Sequence, residues 1–160
     1  RIYGLPTVVL RQSCIYGTRQ FGVEDQGWLA WFIIAAVTGR PITIYGNGKQ
    51  VRDVLFIDDL MDAYDAAFNH IKDSAGQIFN IGGGRQNSIS VWSEFGPLLE
   101  NLLGHSIKTK RKEWRPGDQP VFISDIRKAE TLLGWQPRVG VEQGLRRLYD
   151  WVKENQDLFA

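Results

Sequence analysis

The sequence predicts an α/β fold, and two kinds of segment indicate it. Residues 7–11 and 77–81 are short apolar runs typical of buried strands in a parallel sheet. Between and after them lie longer stretches with apolar residues at helical spacing. No internal repeat or Pro/Gly/Ser-rich linker divides the 160 residues, so we expect a single folded unit over residues 1–160.

The first predicted helix is the ten-residue apolar run 28–37. It is apolar on all sides, which favours a helix packed within the protein, and the Gly-Arg-Pro sequence at 39–41 ends it. Residues 42–45 and 51–57 predict two strands. The Asn-Gly pair at 47–48 lies between them and favours a tight, hairpin-like turn.

A second helix is predicted directly after these strands. Asp58 and Asp59 lie at its N-terminal end, where the helix dipole favours negative charge. Its apolar residues recur at helical spacing: Ile57, Leu60, Met61, Tyr64, Phe68 and Ile71.

The strand at 77–81 ends in three glycines, and a helix is predicted over 90–103. Pro97 inside that stretch indicates a kink or a late start. Residues 108–114 predict another extended segment. A short helix should begin at a Ser124 cap and end at Gly134. The inner face of a last helix is marked by Val141, Leu145, Leu148 and Val152.

Charge and composition exclude several classes of protein. Nineteen Lys and Arg against eighteen Asp and Glu leave a formal charge of +1, which is far from that of a dedicated nucleic-acid binder. The longest apolar run has about half the roughly 20 residues needed to cross a bilayer, so we expect no membrane segment. A single cysteine, Cys14, fits a reducing compartment, and we expect a cytoplasmic protein.

The three glycines at 82–84 do not complete a dinucleotide fingerprint, because Asn87 stands where the last glycine is needed. We interpret them as a strand end that passes close to other backbone or to a ligand. The catalytic spacing Tyr-x-x-x-Lys occurs at Tyr45 and at Tyr149, but neither pair is convincing. The first straddles a turn and the second lies on the last helix, away from any cofactor motif. No catalytic residue is therefore predicted.

Two arginines have settings suited to an anion. Arg52 enters an apolar strand after the turn, where its planar fork can bind a phosphate or carboxylate, or pair with Asp53 or Asp58. Arg115 stands on an Arg-Pro-Gly-Asp turn with Asp118, whose carboxylate can accept ribose hydrogen bonds. A plain surface turn remains the alternative for this second site.

Two further kinds of site receive little support. The basic run from Lys108 to Trp114 and Arg115 resembles a single-strand nucleic-acid site in composition, but the solvated face of a strand explains it better. His70 and His105 have no Cys or carboxylate at metal-ligand spacing, so no metal site is predicted.

Several motifs in order resemble the NAD-dependent sugar epimerase/dehydratase family, the extended short-chain dehydrogenases. The motifs are residues 11–17, residues 45–55 with Asp58-Asp59-Leu60, Asn80-Ile81-Gly82-Gly83, and Arg115-Pro116-Gly117-Asp118 followed by Asp125, Lys128-Ala129 and residues 133–137. The resemblance covers the C-terminal half of a family member. It implies the late strands of a Rossmann-like parallel sheet plus the smaller C-terminal substrate-binding lobe. Residues 1–4 would end the helix that carries the catalytic Tyr-x-x-x-Lys pair, which lies upstream.

The resemblance also implies the ligands. NAD would be the cofactor, with Gln12 and Ser13 beside its nicotinamide half, and a nucleotide-diphosphate sugar would be the substrate. Asp25 and Gln26 would lie at the sugar and diphosphate, Thr43 and Tyr45 near the base, Arg52 and Arg115 on the diphosphate, and Asp118 at the ribose. Cys14 departs from the family, in which an Asn often contacts the diphosphate. The full-length protein would be a homo-oligomer.

Finer features resemble one branch of the family. Residues 19–21, residues 25–28 with Trp31-Phe32, and Gly117-Asp118-Gln119 point to a CDP-sugar 2-epimerase, which oxidises C2 with NAD and reduces it from the other face. A UDP-hexose 4-epimerase and a dTDP-glucose 4,6-dehydratase stay open as alternatives. So does a non-catalytic module that binds nucleotide sugars.

Overall fold

The computed structural model describes residues 2–159. Its helices are α1 (Trp28–Val37), α2 (Ile57–Asn69), α3 (Ile71–Ser74), α4 (Phe95–Leu103), α5 (Arg127–Leu133) and α6 (Val141–Glu154), followed by a 3₁₀ turn at Gln156–Phe159. Its strands are β1 (Val9–Gln12), β2 (Ile15–Tyr16), β3 (Ile42–Tyr45), β4 (Val51–Asp53), β5 (Leu55–Phe56), β6 (Ile78–Ile81), β7 (Ser88–Ser90), β8 (Thr109–Lys112) and β9 (Val121–Phe122).

Most strand pairs are parallel, which confirms the predicted α/β class. β1 pairs with β6 from Val9 opposite Ile78 to Gln12 opposite Ile81, and β2 pairs with β5. β3 pairs with β8, while β4 lies between β7, which is antiparallel, and β9, which is parallel. Because each parallel pair needs a long crossover, the sheets join segments that are far apart in the sequence.

Two hydrophobic clusters form the core. The larger one packs α1, α4 and α6 around Ile33, Phe95 and Leu148. The second lies between the β1/β6 sheet, α2 and α5, and contains Phe79 and Ala129. The helix at 28–37 and the inner face of the last helix are thus confirmed, because α1 is surrounded by other elements and α6 buries Leu145, Leu148 and Val152.

The predicted burial of both strands of the first sheet is wrong in part. Val9 is 50% exposed, and β6 alternates, with Phe79 and Ile81 buried but Ile78 and Asn80 exposed. The reason is that α2 and α5 cover one face of this sheet, while its other face is open within residues 2–159. No helix occurs over residues 2–8, where Ile2 and Tyr3 form a turn, and Arg1 of the predicted helix end lies outside the described residues.

The predicted hairpin does not form, although both strands and the turn exist. β3 pairs with β8 and β4 pairs with β7 and β9, so the two strands leave the turn for different sheets. The positive φ angles fall on Gly46 and Gly48, whereas a two-residue hairpin turn would need one at Asn47. Strand pairing with distant segments therefore determines the topology here, and Val54 divides the predicted 51–57 strand into β4 and β5.

α2 begins where predicted but buries a different face. Met61, Tyr64 and Phe68 are exposed, and the buried residues are Asp59, Leu60, Ala63 and Ala67. The two alanines let the helix approach the second core cluster closely. The carboxylate of Asp59 is needed inside, because it accepts hydrogen bonds from the backbone N–H groups of Arg138 and Val139 at 2.9 and 3.0 Å.

Two helix starts differ from their predictions. α4 begins at Phe95, because Ser90 belongs to β7 and its hydroxyl accepts from the Glu94 N–H at 2.9 Å just before the helix. Pro97 then falls in the first turn, where a missing N–H costs nothing. α5 begins at Arg127 and Ser124 does not cap it. Instead, Oδ1 of Asp125 accepts from the Arg127 N–H at 3.2 Å.

Candidate functional site

A pocket of about 200 Å³ opens between the N-terminal end of α1, the strands β3 and β4, and the turn at 115–118. Six of the residues predicted to bind substrate line it: Asp25, Thr43, Tyr45, Arg52, Arg115 and Asp118. Its other lining residues include Glu24, Trp28, Phe32 and Gln50. Gln26 is not among them, and its backbone pairs with Val23 in the adjoining loop. Tertiary structure therefore brings six of these seven residues together.

Arg52 forms an ion pair with Asp118. Its Nη2 lies 2.5 Å from Oδ1 of Asp118, and its Nη1 donates to the Val51 carbonyl at 2.8 Å. The predicted alternatives, pairing with Asp53 or Asp58, are wrong, because Asp53 accepts from Ser13 and Asp58 pairs with Arg147. Arg52 therefore points into the pocket.

Gln50 holds Asp118 from the other side. Its Nε2 donates to Oδ2 of Asp118 at 3.1 Å and to the Tyr45 carbonyl at 2.7 Å. The residue is only 3% exposed, and within residues 2–159 its buried Oε1 has no hydrogen-bond partner. An unpaired buried acceptor costs about 1–3 kcal/mol, so this site would gain from a donor.

Arg115 lies against the aromatic ring of Tyr45. Its guanidinium carbon is 3.9 Å from the ring centroid, and its Nη2 is 2.9 Å from Oδ1 of Asp25. The hydroxyl of Tyr45 donates to Oε1 of Glu24 at 3.0 Å. The segment at 115–118 is thus a turn, with Gly117 at φ 79°, but it is one that directs two charged side chains into the pocket.

The chemistry of this pocket suits an anion attached to a polar, planar group. Two guanidinium groups supply forked donors for phosphate oxygens, and Tyr45 supplies an aromatic face. The carboxylate of Asp118 can accept from hydroxyl groups. Both arginines are paired with carboxylates, and Glu24 adds a third carboxylate to the lining, so the charged side chains of the pocket carry a formal charge of −1.

Gln12 and Ser13 lie elsewhere, at the carboxyl end of β1. Gln12 is exposed, and its Nε2 donates to the Tyr64 hydroxyl at 2.6 Å. Ser13 is buried, and its hydroxyl donates to Oδ1 of Asp53 at 2.8 Å. In open parallel sheets, ligands bind outside the carboxyl ends of the strands, so this edge is suited to a cofactor.

The glycines at 82–84 make the close approach that was predicted. A Cβ added at Gly82 would lie 2.4 Å from Oδ2 of Asp53, and one at Gly83 would lie 2.2 Å from the Val54 carbonyl oxygen. The Gly84 N–H donates to Oδ2 of Asp53 at 3.2 Å. The glycine loop is thus packed against β4, directly beside the strand position of Arg52.

Cys14 connects this edge to the pocket. Its Sγ accepts a hydrogen bond from Nε1 of Trp28 at 3.2 Å, and Trp28 lines the pocket. Burial raises the pKa of the Cys14 thiol to about 11, so the group is neutral at physiological pH. A thiol in that state is a poor nucleophile, and Cys14 lies half-buried between β1 and β2.

Sequence reasoning missed Gln50 and Asp53. Asp53 is fully buried, and a carboxylate inside a predicted apolar strand is a signal that a partner must exist, because an unpaired buried charge is costly. Gln50 carried no such signal, since a glutamine before a strand is ordinary. Only the fold shows that its amide joins Tyr45 to Asp118.

A larger cavity of about 610 Å³ lies beside the glycine loop and α5. It contains none of the predicted site residues. Its Arg127 is bonded to Asp125 at 2.5 Å, and these hydrogen bonds lower the pKa of Asp125 to about 2. We place the candidate site in the smaller pocket, because there two arginines and an aromatic ring converge on one space.

The other segments considered in the sequence are the two Tyr-x-x-x-Lys pairs and the basic run that begins at Lys108. Tyr149 is buried in the core with Lys153 5.8 Å from its ring centroid, and Tyr45 and Lys49 lie on either side of the turn. Lys108, Lys110 and Lys112 are exposed on or next to β8.

The described residues contain no group of three metal-ligating side chains and no helix long and apolar enough to cross a membrane.

The fold and the pocket define a class of protein, the extended short-chain dehydrogenases that act as epimerases or dehydratases. The NAD dependent epimerase/dehydratase family matches residues 1–82, and the chain belongs to this family. NAD is the cofactor of the family. The chain spans about half the length of the curated relatives it matches.

Three similar proteins illustrate the range of the family. CDP-paratose 2-epimerase of Salmonella typhi is 42% identical over 157 residues, which is 95% of this chain and 46% of that protein. UDP-glucuronate 4-epimerase of Thermodesulfobacterium geofontis is 36% identical over 157 residues, covering 98% of this chain and 46% of its own length. The crystal structure of UDP-glucose 4-epimerase from Thermotoga maritima with UDP-glucose is 33% identical with a TM-score of 0.84, covering 96% of this chain and 48% of that one.

Proposed function

We propose that this chain is the C-terminal, substrate-binding part of an NAD-dependent nucleotide-sugar epimerase that interconverts CDP-paratose and CDP-tyvelose at C2 of the sugar. The observation that carries the proposal is the convergence of Arg52 and Arg115 with Tyr45 and Asp118 in one pocket. Four residues of these types, drawn from three separate segments, are what a nucleoside diphosphate needs. The larger cavity beside α5 is lined by two arginines, Arg85 and Arg127, but by no aromatic ring among the described residues.

In this proposal the diphosphate lies on Arg52 and Arg115. Asp118 accepts from the ribose, and Thr43 and Tyr45 lie near the base. Asp25 and Gln26 lie at the sugar and diphosphate; Asp25 borders the pocket and Gln26 lies in the loop beside it. The stacking of Arg115 on Tyr45 supports this arrangement. It fixes the orientation of the guanidinium, whose N–H groups can then face a phosphate, while the aromatic ring remains beside the base site.

The residues at the sheet edge fit part of an NAD site. Gln12 presents an exposed amide at the carboxyl end of β1, and Asp53 holds Ser13 and the Gly84 N–H together next to it. Gln12 and Ser13 would therefore hold the nicotinamide end. When bound, NAD supplies the hydride acceptor and donor for C2.

The role of this chain in the reaction is to anchor the substrate. A 2-keto sugar must turn over so that hydride returns to its other face, and the diphosphate clamp keeps it bound meanwhile. Tyr149 is buried in the core and Tyr45 bonds to Glu24, so neither is free to serve as the base. We place the catalytic tyrosine outside the described residues.

The choice of nucleotide rests on relatives. The 42% identity to the CDP-paratose 2-epimerase of Salmonella typhi favours a CDP-sugar. A UDP-hexose 4-epimerase is the second candidate, supported by the UDP-glucose 4-epimerase of Thermotoga maritima at a TM-score of 0.84. A dTDP-glucose 4,6-dehydratase is a third.

We further propose a cytoplasmic homo-oligomer for the full-length protein, with no nucleic-acid or membrane partner.

The test is a set of nucleotide titrations of the chain followed by NMR. We expect CDP to bind more tightly than UDP or dTDP, and we expect Arg52→Ala and Arg115→Ala each to weaken CDP binding by about tenfold or more. Arg127→Ala is the matched control, since it removes an exposed, ion-paired arginine outside the pocket and should change nothing. A preference for UDP or dTDP would overturn the CDP assignment, and equal effects of all three substitutions would overturn the site.

The same titrations separate the enzyme from a non-catalytic module. A module complete in these 160 residues should bind nucleotide with micromolar affinity. The C-terminal part of an enzyme should bind weakly and show no NAD turnover, and only the longer protein should interconvert CDP-paratose and CDP-tyvelose.

A further inference from the structure

Trp114 and Arg115 are consecutive residues that pack against two consecutive residues at the end of β3. A Cβ added at Gly46 would lie 2.7 and 2.8 Å from Cε2 and Cδ2 of Trp114, the two carbons shared by its rings, so the middle of the indole lies against this glycine. The guanidinium of Arg115 lies on the ring of Tyr45, the residue before Gly46. The two contacts therefore lie side by side.

The segment that carries both residues has little regular structure to hold it. Residues 113–120 connect β8 to β9 and form neither helix nor strand, and all of them are exposed except Arg115 and Asp118, which are half-buried. Exposed segments with few buried contacts open easily. The position of Arg115 therefore depends on the contacts that this segment makes.

Backbone hydrogen bonds hold the two ends of the segment. The Gly46 N–H donates to the Lys112 carbonyl just before it, and the Val51 N–H donates to the Pro120 carbonyl at its end, both at 2.9 Å. Between these ends, side chains determine the course of the chain.

The charged side-chain contacts of the segment use groups that an anionic ligand would also use. Arg115 pairs with the exposed Asp25, and Asp118 pairs with Arg52. A diphosphate bound to both guanidinium groups competes with these carboxylates, so the ion pairs weaken as the ligand enters. The packing of Trp114 is an apolar contact for which no anion competes, and it persists whether or not the ligand is bound.

We propose that Trp114 is a positioning residue of the nucleotide site, whose packing on Gly46 keeps Arg115 over the Tyr45 ring and directed into the pocket. It acts through Arg115, since Trp114 is not among the residues that line the pocket. Gly46 is part of the arrangement, because its φ of 72° and its missing Cβ let the indole approach. This inference rests on the proposed function, since it assumes that Arg115 receives the diphosphate.

The experiment is a double-mutant cycle on CDP binding, measured by NMR titration of the chain, of Trp114→Ala, of Arg115→Ala and of the variant with both changes. We expect Trp114→Ala to weaken CDP binding about fivefold when Arg115 is present. When Arg115 is already removed, the same change should alter the affinity by less than about 1.5-fold, because Trp114 acts through that side chain. Trp114→Phe keeps a flat ring for Gly46 and should stay within about twofold of the parent.

Phe68→Ala is the matched control. It also removes an exposed aromatic side chain, but Phe68 lies on α2 and does not line the pocket. We expect it to leave the affinity for CDP within about 1.5-fold of the parent in both backgrounds. A loss as large as that of Trp114→Ala would mean that any lost surface aromatic weakens binding, which would overturn the specific role of Trp114.

The possible outcomes separate this inference from the proposed function. If the unmodified chain shows no CDP binding, or if Arg115→Ala does not weaken it, the proposed function fails. If binding depends on Arg115 but Trp114→Ala leaves it unchanged, the positioning role is wrong while the nucleotide site stands. An equal loss with and without Arg115 would also overturn the positioning role, because Trp114 would then act on the ligand or on the fold independently of Arg115.

Discussion

Ser13 and Asp53 are joined by a buried hydrogen bond of 2.8 Å that links two parts of the site. Ser13 follows β1 at the proposed cofactor edge, while Asp53 follows Arg52 on β4. The other oxygen of Asp53 accepts from the Gly84 N–H. One carboxylate thus fixes the end of β1, the glycine loop and the strand that carries Arg52 relative to one another.

Replacement of Asp53 should therefore destabilise the fold. Asp53→Ala leaves the Ser13 hydroxyl and the Gly84 N–H without their acceptor in a buried site, and we expect a loss of about 3 kcal/mol in the free energy of unfolding. Asp53→Asn, which keeps one acceptor, should cost less. Urea denaturation followed by circular dichroism measures both. Asp65→Ala, an exposed aspartate on α2, is the control and should stay within about 0.5 kcal/mol of the parent.

Gly83→Ala should be harmful for a steric reason. The new Cβ would lie 2.2 Å from the Val54 carbonyl oxygen, which is backbone and cannot move away independently. We expect a loss of about 2 kcal/mol in the free energy of unfolding. Gly140→Ala is the control, because no atom lies within 4 Å of its added Cβ and its φ of −69° suits alanine. Equal stability of the two variants would contradict the close approach.

Stability should fall in alkaline solution partly because of Cys14. Burial raises the pKa of its thiol from 9.0 to about 11, and the weaker opposing influence is the hydrogen bond from Trp28. Between these values the unfolded chain releases the thiol proton while the folded chain retains it. The stabilisation is therefore complete below about pH 9 and is lost as the pH rises toward about 11.

Urea denaturation of the protein and of Cys14→Ala across this range tests the point. The variant should lose less stability between about pH 9 and about pH 11. Burial also raises the pKa of Tyr16, whose contribution has the same sign at higher pH, and the charge of a nearby Cys14 thiolate adds to that rise in the parent protein. Parallel pH curves for the two proteins would show that the thiol does not titrate as described.

The ring of Tyr45 should matter more for nucleotide binding than its hydroxyl. Arg115 stacks on the ring at 3.9 Å, whereas the hydroxyl only bonds to the exposed loop at Glu24. We expect Tyr45→Ala to weaken CDP binding by about fivefold and Tyr45→Phe to change it by less than about twofold. NMR titration of both variants measures the difference, and a phenylalanine variant as weak as the alanine variant would point to the hydroxyl instead.

Local sequence patterns predicted the helices best where one signal dominated. α1 matches residues 28–37 because ten consecutive apolar residues followed by Gly39 leave no alternative to a buried helix, and α6 matches because its apolar stripe is regular. α2 shows the limit of this approach. Its apolar residues mark a helix, but two stripes compete, and contact with the sheet favours the one with small alanines.

The turn at Asn47-Gly48 shows a second limit. The residues favour a hairpin locally, yet β3 and β4 find their partners in β8, β7 and β9, which lie far along the chain. Strand pairing is a cooperative, long-range interaction, so a two-residue signal cannot decide it. The start of α5 is a smaller case of the same kind, because Ser124 does not cap the helix and it is Asp125, just before the N-cap residue Ile126, that accepts from the Arg127 N–H.

For the site, the sequence by itself determined the family and predicted a set of residues, including two arginines whose side chains suit a diphosphate. Only the tertiary structure decided their partners. Arg52 and Asp118 are 66 residues apart and meet because β4 and the turn at 115–118 border one pocket. Ion pairing depends on distance and burial and not on order in the chain. For the same physical reason, only the fold could show that Asp53 is hydrogen-bonded to Ser13 and Gln50 to Asp118.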